Sequence, residues 1–139
     1  MTELQREPDA QGAPVRRFRD PAYRPLAENL AGVRREIDRI DDAIVRLLAE
    51  RAMYVKDAAR FKRDAFQVSA PARQAEVFAR VRALAERHQP AFNGGFAGLP
   101  DVVESAYRAL VAGYIACEQN YFGQTEAIAA TSPPKANEP

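Results

Sequence analysis

The stretch LAENLAGVRREIDRIDDAIVRLLAERAMYVKDAARFK, residues Leu26–Lys62, decides the fold. Its apolar positions Leu30, Val33, Ile37, Ile40, Ile44 and Leu47 continue past Arg51 to Tyr54, Ala58 and Phe61, in alternating steps of three and four. That is a heptad seam, the pattern of a long helix buried against other helices. With Pro25 suited to its first turn and an end expected near Lys62 to Asp64, such a helix is about 55 Å long at 1.5 Å per residue. The rest of a 139-residue chain is too small to cover it, so the seam calls for a second chain. Arg51 stands on the seam where an aliphatic residue belongs. A guanidinium in such a place needs an anion.

Composition narrows the function classes. Lys plus Arg number 20 against 19 for Asp plus Glu, a net charge of +1. This balance gives no overall field for polyanions and argues against a nucleic-acid partner. A single cysteine, Cys117, precludes an intrachain disulfide. No signal-peptide pattern follows Met1, and no apolar run approaches the ~18 residues of a membrane span. A soluble, cytoplasmic protein with no membrane partner is expected.

Outward from the seam, residues 1–24 carry Pro8, Pro14, Pro21 and many charges, and are expected to form a disordered or loosely docked arm. Its cluster Arg16, Arg17 and Arg19 reads as a solvated tail, or as a contact for an acidic partner. After the long helix, Ser69 is a plausible N-cap for a second helix with Pro71 in its first turn. Val77, Phe78, Val81 and Leu84 form its apolar face, and it should stop near His88. Residues 90–100 hold Gly94, Gly95, Gly98 and two prolines and read as a loop. A third helix, from Pro100 or Asp101, carries Val103, Ala106, Tyr107, Leu110, Val111, Tyr114, Ile115, Glu118 and Phe122, with Gly123 as its stop. Residues 124–139 read as a flexible tail. The expected fold is all-α, three helices per chain, with one helical domain over residues 25–123.

The candidate functional residues are polar groups on apolar faces. Arg51 and Lys62 are eleven residues apart, which on a regular helix separates them by about 20° in azimuth and ~16 Å along the axis. Two long side chains so placed can hold a small polyanion between them, or be cations with snorkelling stems. Arg34 lies about 25 Å before Arg51 along the same helix. It reaches such a site only from a partner subunit. Arg73 and Gln74 open the second helix, and Glu118 sits between Ile115 and Phe122 on the third, at a rim, in a salt bridge or in a site. A carboxyl on an apolar stripe is costly to ionise unless a cation pairs with it. His88 at a helix end reads as structural, and Cys117 as a small buried thiol. The tyrosines Tyr54, Tyr107, Tyr114 and Tyr121 read as core or interface anchors. No metal spacing, phosphate-cradling glycine loop or Ser-His-Asp set is present, and no cofactor is expected.

These residues carry a resemblance. VRREIDRIDDAIVRLLAERAMYVKDAARFK (Val33–Lys62), with Ile-Asp-x-Ile-Asp, Arg-x-x-Tyr-Val-Lys and Arg-Phe-Lys, resembles the first helix of the all-helical chorismate mutases, especially the branch containing isochorismate pyruvate lyase. SAPAR (Ser69–Arg73) and YIACEQNYF (Tyr114–Phe122) extend the likeness over about residues 26–122. The resemblance implies an interlocked homodimer with two active sites, each built from both chains. It implies that Arg34 is donated by the partner, that Arg51 clamps a substrate carboxylate, and that Lys62 binds a carboxylate and the ether oxygen. Arg73 matches a supporting arginine and Gln74 the position beside it. Glu118 matches the slot usually held by Gln, with Gln119 in that slot under a shift of one residue, and Ile115 belongs to the same stretch. Lys62 and Glu118 are then the expected catalytic pair, and Arg34, Arg51, Arg73, Gln74, Ile115 and Gln119 the expected substrate contacts.

The implied reaction, the pericyclic rearrangement of chorismate to prephenate in aromatic amino acid biosynthesis, suits these residue types. The substrate is a dicarboxylate and needs cations. The step needs a held conformer and donors at an ether oxygen that gains negative charge, but no nucleophile or metal. The rivals are isochorismate pyruvate lyase, in salicylate or siderophore biosynthesis, and a non-catalytic helical dimer that binds a small anion.

Overall fold

The computed structural model describes residues 5–129, all helix, turn and loop, with no strand among them. Three long helices, α1 (Leu30–Ala58), α3 (Pro71–His88) and α4 (Leu99–Phe122), are joined by a short α2 (Ala65–Ser69) and by 3-10 turns at Ala59–Phe61 and Gln89–Ala91. The all-α expectation holds, and α2 is an addition to it.

Helix boundaries follow from caps. Asn29 is extended, and its side-chain oxygen accepts from the Gly32 backbone N–H at 2.8 Å. This cap starts α1 at Leu30, so Pro25 lies outside the helix, not in its first turn as expected. Twenty-nine residues span about 44 Å, shorter than the expected length because the chain tightens into a 3-10 turn after Ala58 and leaves helical geometry at Lys62 (φ −107°, ψ 145°). Asp64 caps α2 by accepting from the Gln67 N–H at 2.9 Å. Ser69 is therefore the last residue of α2 rather than the cap of α3. The joint between the two helices is Ala70, held left-handed at φ 43°. The left-handed region costs an L-residue about 1–2 kcal/mol. The backbone bonds Ala70 N–H to Phe66 O (3.0 Å) and Gln74 N–H to Ala70 O (2.9 Å) hold it there. Gly98 caps α4 at φ 81°, with Pro100 in the first turn.

α3 and α4 form an antiparallel pair. Phe78, Val81, Ala85 and Val111 are buried between them, and Val68 of α2 and Ala59 are the most deeply buried apolar residues. Arg82 of α3 reaches Asp101 (2.7 Å) and Glu104 (3.6 Å) of α4. α1 contributes no buried residue to this unit. Its C-terminal half turns Leu48, Arg51, Val55 and Ala58 inward, while Val33, Ile37, Ile40, Ile44 and Leu47 are 39–54% exposed. The seam and the stripe covered within the chain thus share Arg51 and Ala58 and differ elsewhere. Tyr54 of the seam is exposed, and so is Cys117, which had been expected to be buried.

The arm is irregular over its described residues. It touches the rest of the chain where Ala31 N–H donates to Ala10 O at 2.9 Å and where the Asn93 side chain pairs with the Arg24 backbone, donating to its O at 2.8 Å and accepting from its N at 3.3 Å. Residues 1–4 of the arm and 130–139 of the expected tail lie outside the described residues.

Because Asn29 alone satisfies an N-terminal donor of α1 by its side chain, Asn29→Ala should lower stability by about 1 kcal/mol. Asn29→Asp should not. Urea denaturation of both variants at one protein concentration checks this.

Candidate active site

Where α1 ends, the chain builds a cavity of about 330 Å³ between α1, the α2–α3 joint and α4, within the size range of small-molecule sites. Three of the expected cations line it, each brought by a different element. Arg51 comes from the inward stripe of α1, Lys62 from the extended residue after the 3-10 turn, and Arg73 from the first turn of α3. Gln74, Ile115 and Glu118 line it too, together with the apolar groups Val55, Val68, Val77 and Val111.

The central contact is Lys62 Nζ to Glu118 Oε2, 2.9 Å. Glu118 is 5% exposed, and the Lys62 side chain 21%. The two belong to segments 56 residues apart, and this bond ties the residue after the 3-10 turn that follows α1 to the C-terminal part of α4. An ammonium has three donors, so the pair leaves Lys62 two more to direct into the cavity. The helical extrapolation from Arg51 to Lys62 fails, because regular helix stops at Ala58. The two cations nevertheless line one cavity, because the chain turns at Lys62 towards Glu118.

The amides are oriented by backbone. Gln74 Nε2 donates to Ser69 O at 2.6 Å, which leaves its carbonyl oxygen free as an acceptor at the cavity. Gln119 does not line the cavity. Its Nε2 donates to Ala65 O at 2.9 Å and lies 3.4 Å from Ser69 Oγ, holding α2 against α4. Arg73 pairs with exposed Glu76 at 2.7 Å. Arg34 is exposed near the start of α1, about 25 Å along the helix from Arg51, and reaches no residue of this cavity.

Two features escaped the sequence reading. Ser69 and Ala70 line the cavity through a left-handed joint that carries no glycine to mark it. Tyr114 lines it as well, its hydroxyl donating to Leu48 O at 2.6 Å while its ring faces the Arg51 guanidinium. The spacing of Val111, Tyr114, Ile115 and Glu118, all on one side of α4, was the available signal.

Comparison with known proteins meets the same residues. The family model described as chorismate mutase type II matches residues 33–119. A chorismate mutase of Methanocaldococcus jannaschii is 36% identical over 64 residues, covering 45% of this chain and 65% of that protein, just under two thirds of its length. An isochorismate pyruvate lyase of Pseudomonas aeruginosa is 37% identical over 100 residues, covering 72% of this chain and 91% of that protein.

Removing one partner of the buried pair leaves the other unsatisfied, which costs about 1–3 kcal/mol or more for a charged group. Lys62→Met should therefore destabilise the fold by at least that amount. Glu118→Gln, whose amide oxygen still accepts from Lys62, should cost less. Denaturant midpoints of wild type and the two variants, compared at equal protein concentration, test the ordering; variants with the wild-type midpoint would mean that the pair contributes nothing to the fold.

Proposed function

The chain belongs to the chorismate mutase type II family, and from that premise we propose that it catalyses the rearrangement of chorismate to prephenate, as a cytoplasmic enzyme of aromatic amino acid biosynthesis. The observation that carries this reading is the convergence of Arg51, Lys62 and Arg73 with buried Glu118 on one small cavity. A dicarboxylate needs such cations, and a pericyclic step needs little else.

In this mechanism Arg51 takes one substrate carboxylate through its planar fork of donors. Arg73 supports the cationic wall beside it. Together they hold the compact conformer in which the breaking C–O bond and the forming C–C bond lie close. As the ether bond breaks, negative charge grows on its oxygen. Lys62, held by Glu118, donates to that oxygen and stabilises the charge as it develops. Glu118, by accepting from Lys62, fixes the direction in which that ammonium donates. Electrons move within the substrate alone, so no nucleophile is consumed and no group leaves.

The site is completed by a second copy of the chain. The bare seam Val33–Leu47 supports this, because a stripe of Val, Ile and Leu left in water forfeits about 25 cal/mol per Å² of apolar surface. Arg34 lies on that same half of α1 and belongs, in this reading, to the partner's site.

A second reading has its own support, since the longer of the two reported matches is to an isochorismate pyruvate lyase. The choice rests on Gln74. With its Nε2 committed to Ser69 O, it offers an acceptor for a substrate hydroxyl. A site built to bond a hydroxyl discriminates against ligands that leave its polar group unpaired, and the hydroxyls of chorismate and isochorismate are on different ring carbons. We assign the mutase activity on that basis. Chorismate should turn over with the higher kcat/KM; a higher value for isochorismate would reverse the assignment.

The shared site has its own test. Arg34→Ala and Arg51→Ala should each be folded and nearly inactive, while a mixture unfolded and refolded together should regain activity, because one site of each heterodimer then holds both arginines. Subunit exchange without recovered activity would sink the composite site.

A further inference from the structure

Arg51 poses a problem that the cavity alone does not answer. Its side chain is half-buried between α1 and α4, yet among the described residues it has no carboxylate within ion-pair distance and no hydrogen bond. What it has is aromatic. Its guanidinium carbon lies 5.8 Å from the ring centroid of Tyr107 and 5.1 Å from that of Tyr114. Both distances are within the ~6 Å over which a cation is attracted to a ring face. Tyr107 and Tyr114 are seven residues apart on α4, two turns and about 10.5 Å of rise. The guanidinium is therefore shared by rings from two different turns of α4. Tyr114 is pinned in turn, since its hydroxyl donates at 2.6 Å to the carbonyl of Leu48, one turn before Arg51 on α1. The ring that faces the arginine is thus fixed to the same stretch of helix that carries it.

We propose that Tyr107 and Tyr114 are positioning residues, which keep Arg51 aimed at the cavity while leaving its charge and its donors unspent. A carboxylate in their place would hold the guanidinium equally well, but would neutralise it and occupy the fork that a substrate carboxylate needs. A ring attracts the cation through its quadrupole and takes none of the N–H groups. The identity of the ligand rests on the chorismate reading above; the orientation of Arg51 does not. Tyr107 is the cleaner residue to alter, because it does not line the cavity, and its hydroxyl makes no hydrogen bond among the described residues. Replacing it changes the arginine's surroundings without touching substrate.

Two readouts on the full-length protein test this. One is the KM and kcat for chorismate. The other is the order parameter of the Arg51 Nε–Hε group by nitrogen relaxation, its resonance assigned by its loss in Arg51→Lys. Tyr107→Leu should raise KM roughly three- to tenfold, the scale of one partly desolvated cation–π contact. Arg51 also helps to hold the compact conformer, so kcat should fall as well. The order parameter should fall. Tyr107→Phe keeps the ring and should retain both wild-type values. Tyr114→Phe keeps the ring but frees it from Leu48, and should lower the order parameter; it serves as the second variant if Tyr107→Leu does not fold. The proposal is overturned if Tyr107→Leu leaves Arg51 as ordered as in wild type, or if Tyr107→Phe loses as much as Tyr107→Leu. If the wild-type protein turns over neither chorismate nor isochorismate, the substrate reading fails by itself. The relaxation data then decide the positioning role alone.

Discussion

The bond between Lys62 and Glu118 is the contact on which the cavity depends. Among the described residues it is the ion pair that includes a buried group, and it joins the segment just after α1 to the C-terminal part of α4. Around it the chain changes direction, passes through the capped turn at Asp64, and lays α2 over the cavity, where Gln119 catches the Ala65 carbonyl. An ion pair out of water is weak evidence of added stability, because desolvation opposes the Coulomb gain. Its value here is geometric. The ammonium can point only where Glu118 allows, and that direction is into the space lined by Arg51 and Arg73.

The parts of the fold visible in the sequence were those set by periodicity. The alternating steps from Leu30 to Phe61 required a long helix, and the apolar stripe from Val103 to Phe122 required another. The boundaries were less visible because they depend on which polar side chain captures a backbone N–H. Asn29 does so at α1, which moves its start past Pro25, and Asp64 does so at α2, which displaces Ser69 from a capping role. The left-handed Ala70 leaves no trace in the sequence, since alanine carries no signature of that conformation and only the surrounding bonds impose it.

The cavity was legible for a similar reason and to a similar extent. Arg51 on a seam and Glu118 on an apolar stripe are each out of place, and misplaced charges point to a site. Their surroundings were not legible. Whether Tyr114 faces core, partner or guanidinium depends on the phase in which α4 meets α1, which is a tertiary quantity. The same holds for Gln119, whose neighbour Glu118 enters the cavity while its own amide reaches the α2 backbone. Cys117, on the other side of Glu118, is exposed, so one turn of α4 passes from cavity to surface.

The uncovered half of α1 also bears on the order in which the molecule forms. The residues from Val33 to Leu47 have little to pack against in their own chain, and an isolated helix of that length is marginal in water. α3, α4 and the C-terminal half of α1 can condense first through contacts within one chain, as a unimolecular event. The first half of α1 then acquires lasting helix only when another seam arrives. In a dimer built on that seam, completion of the fold is a bimolecular step whose rate rises with protein concentration, and dilute nascent chains wait longest with their apolar stripe uncovered.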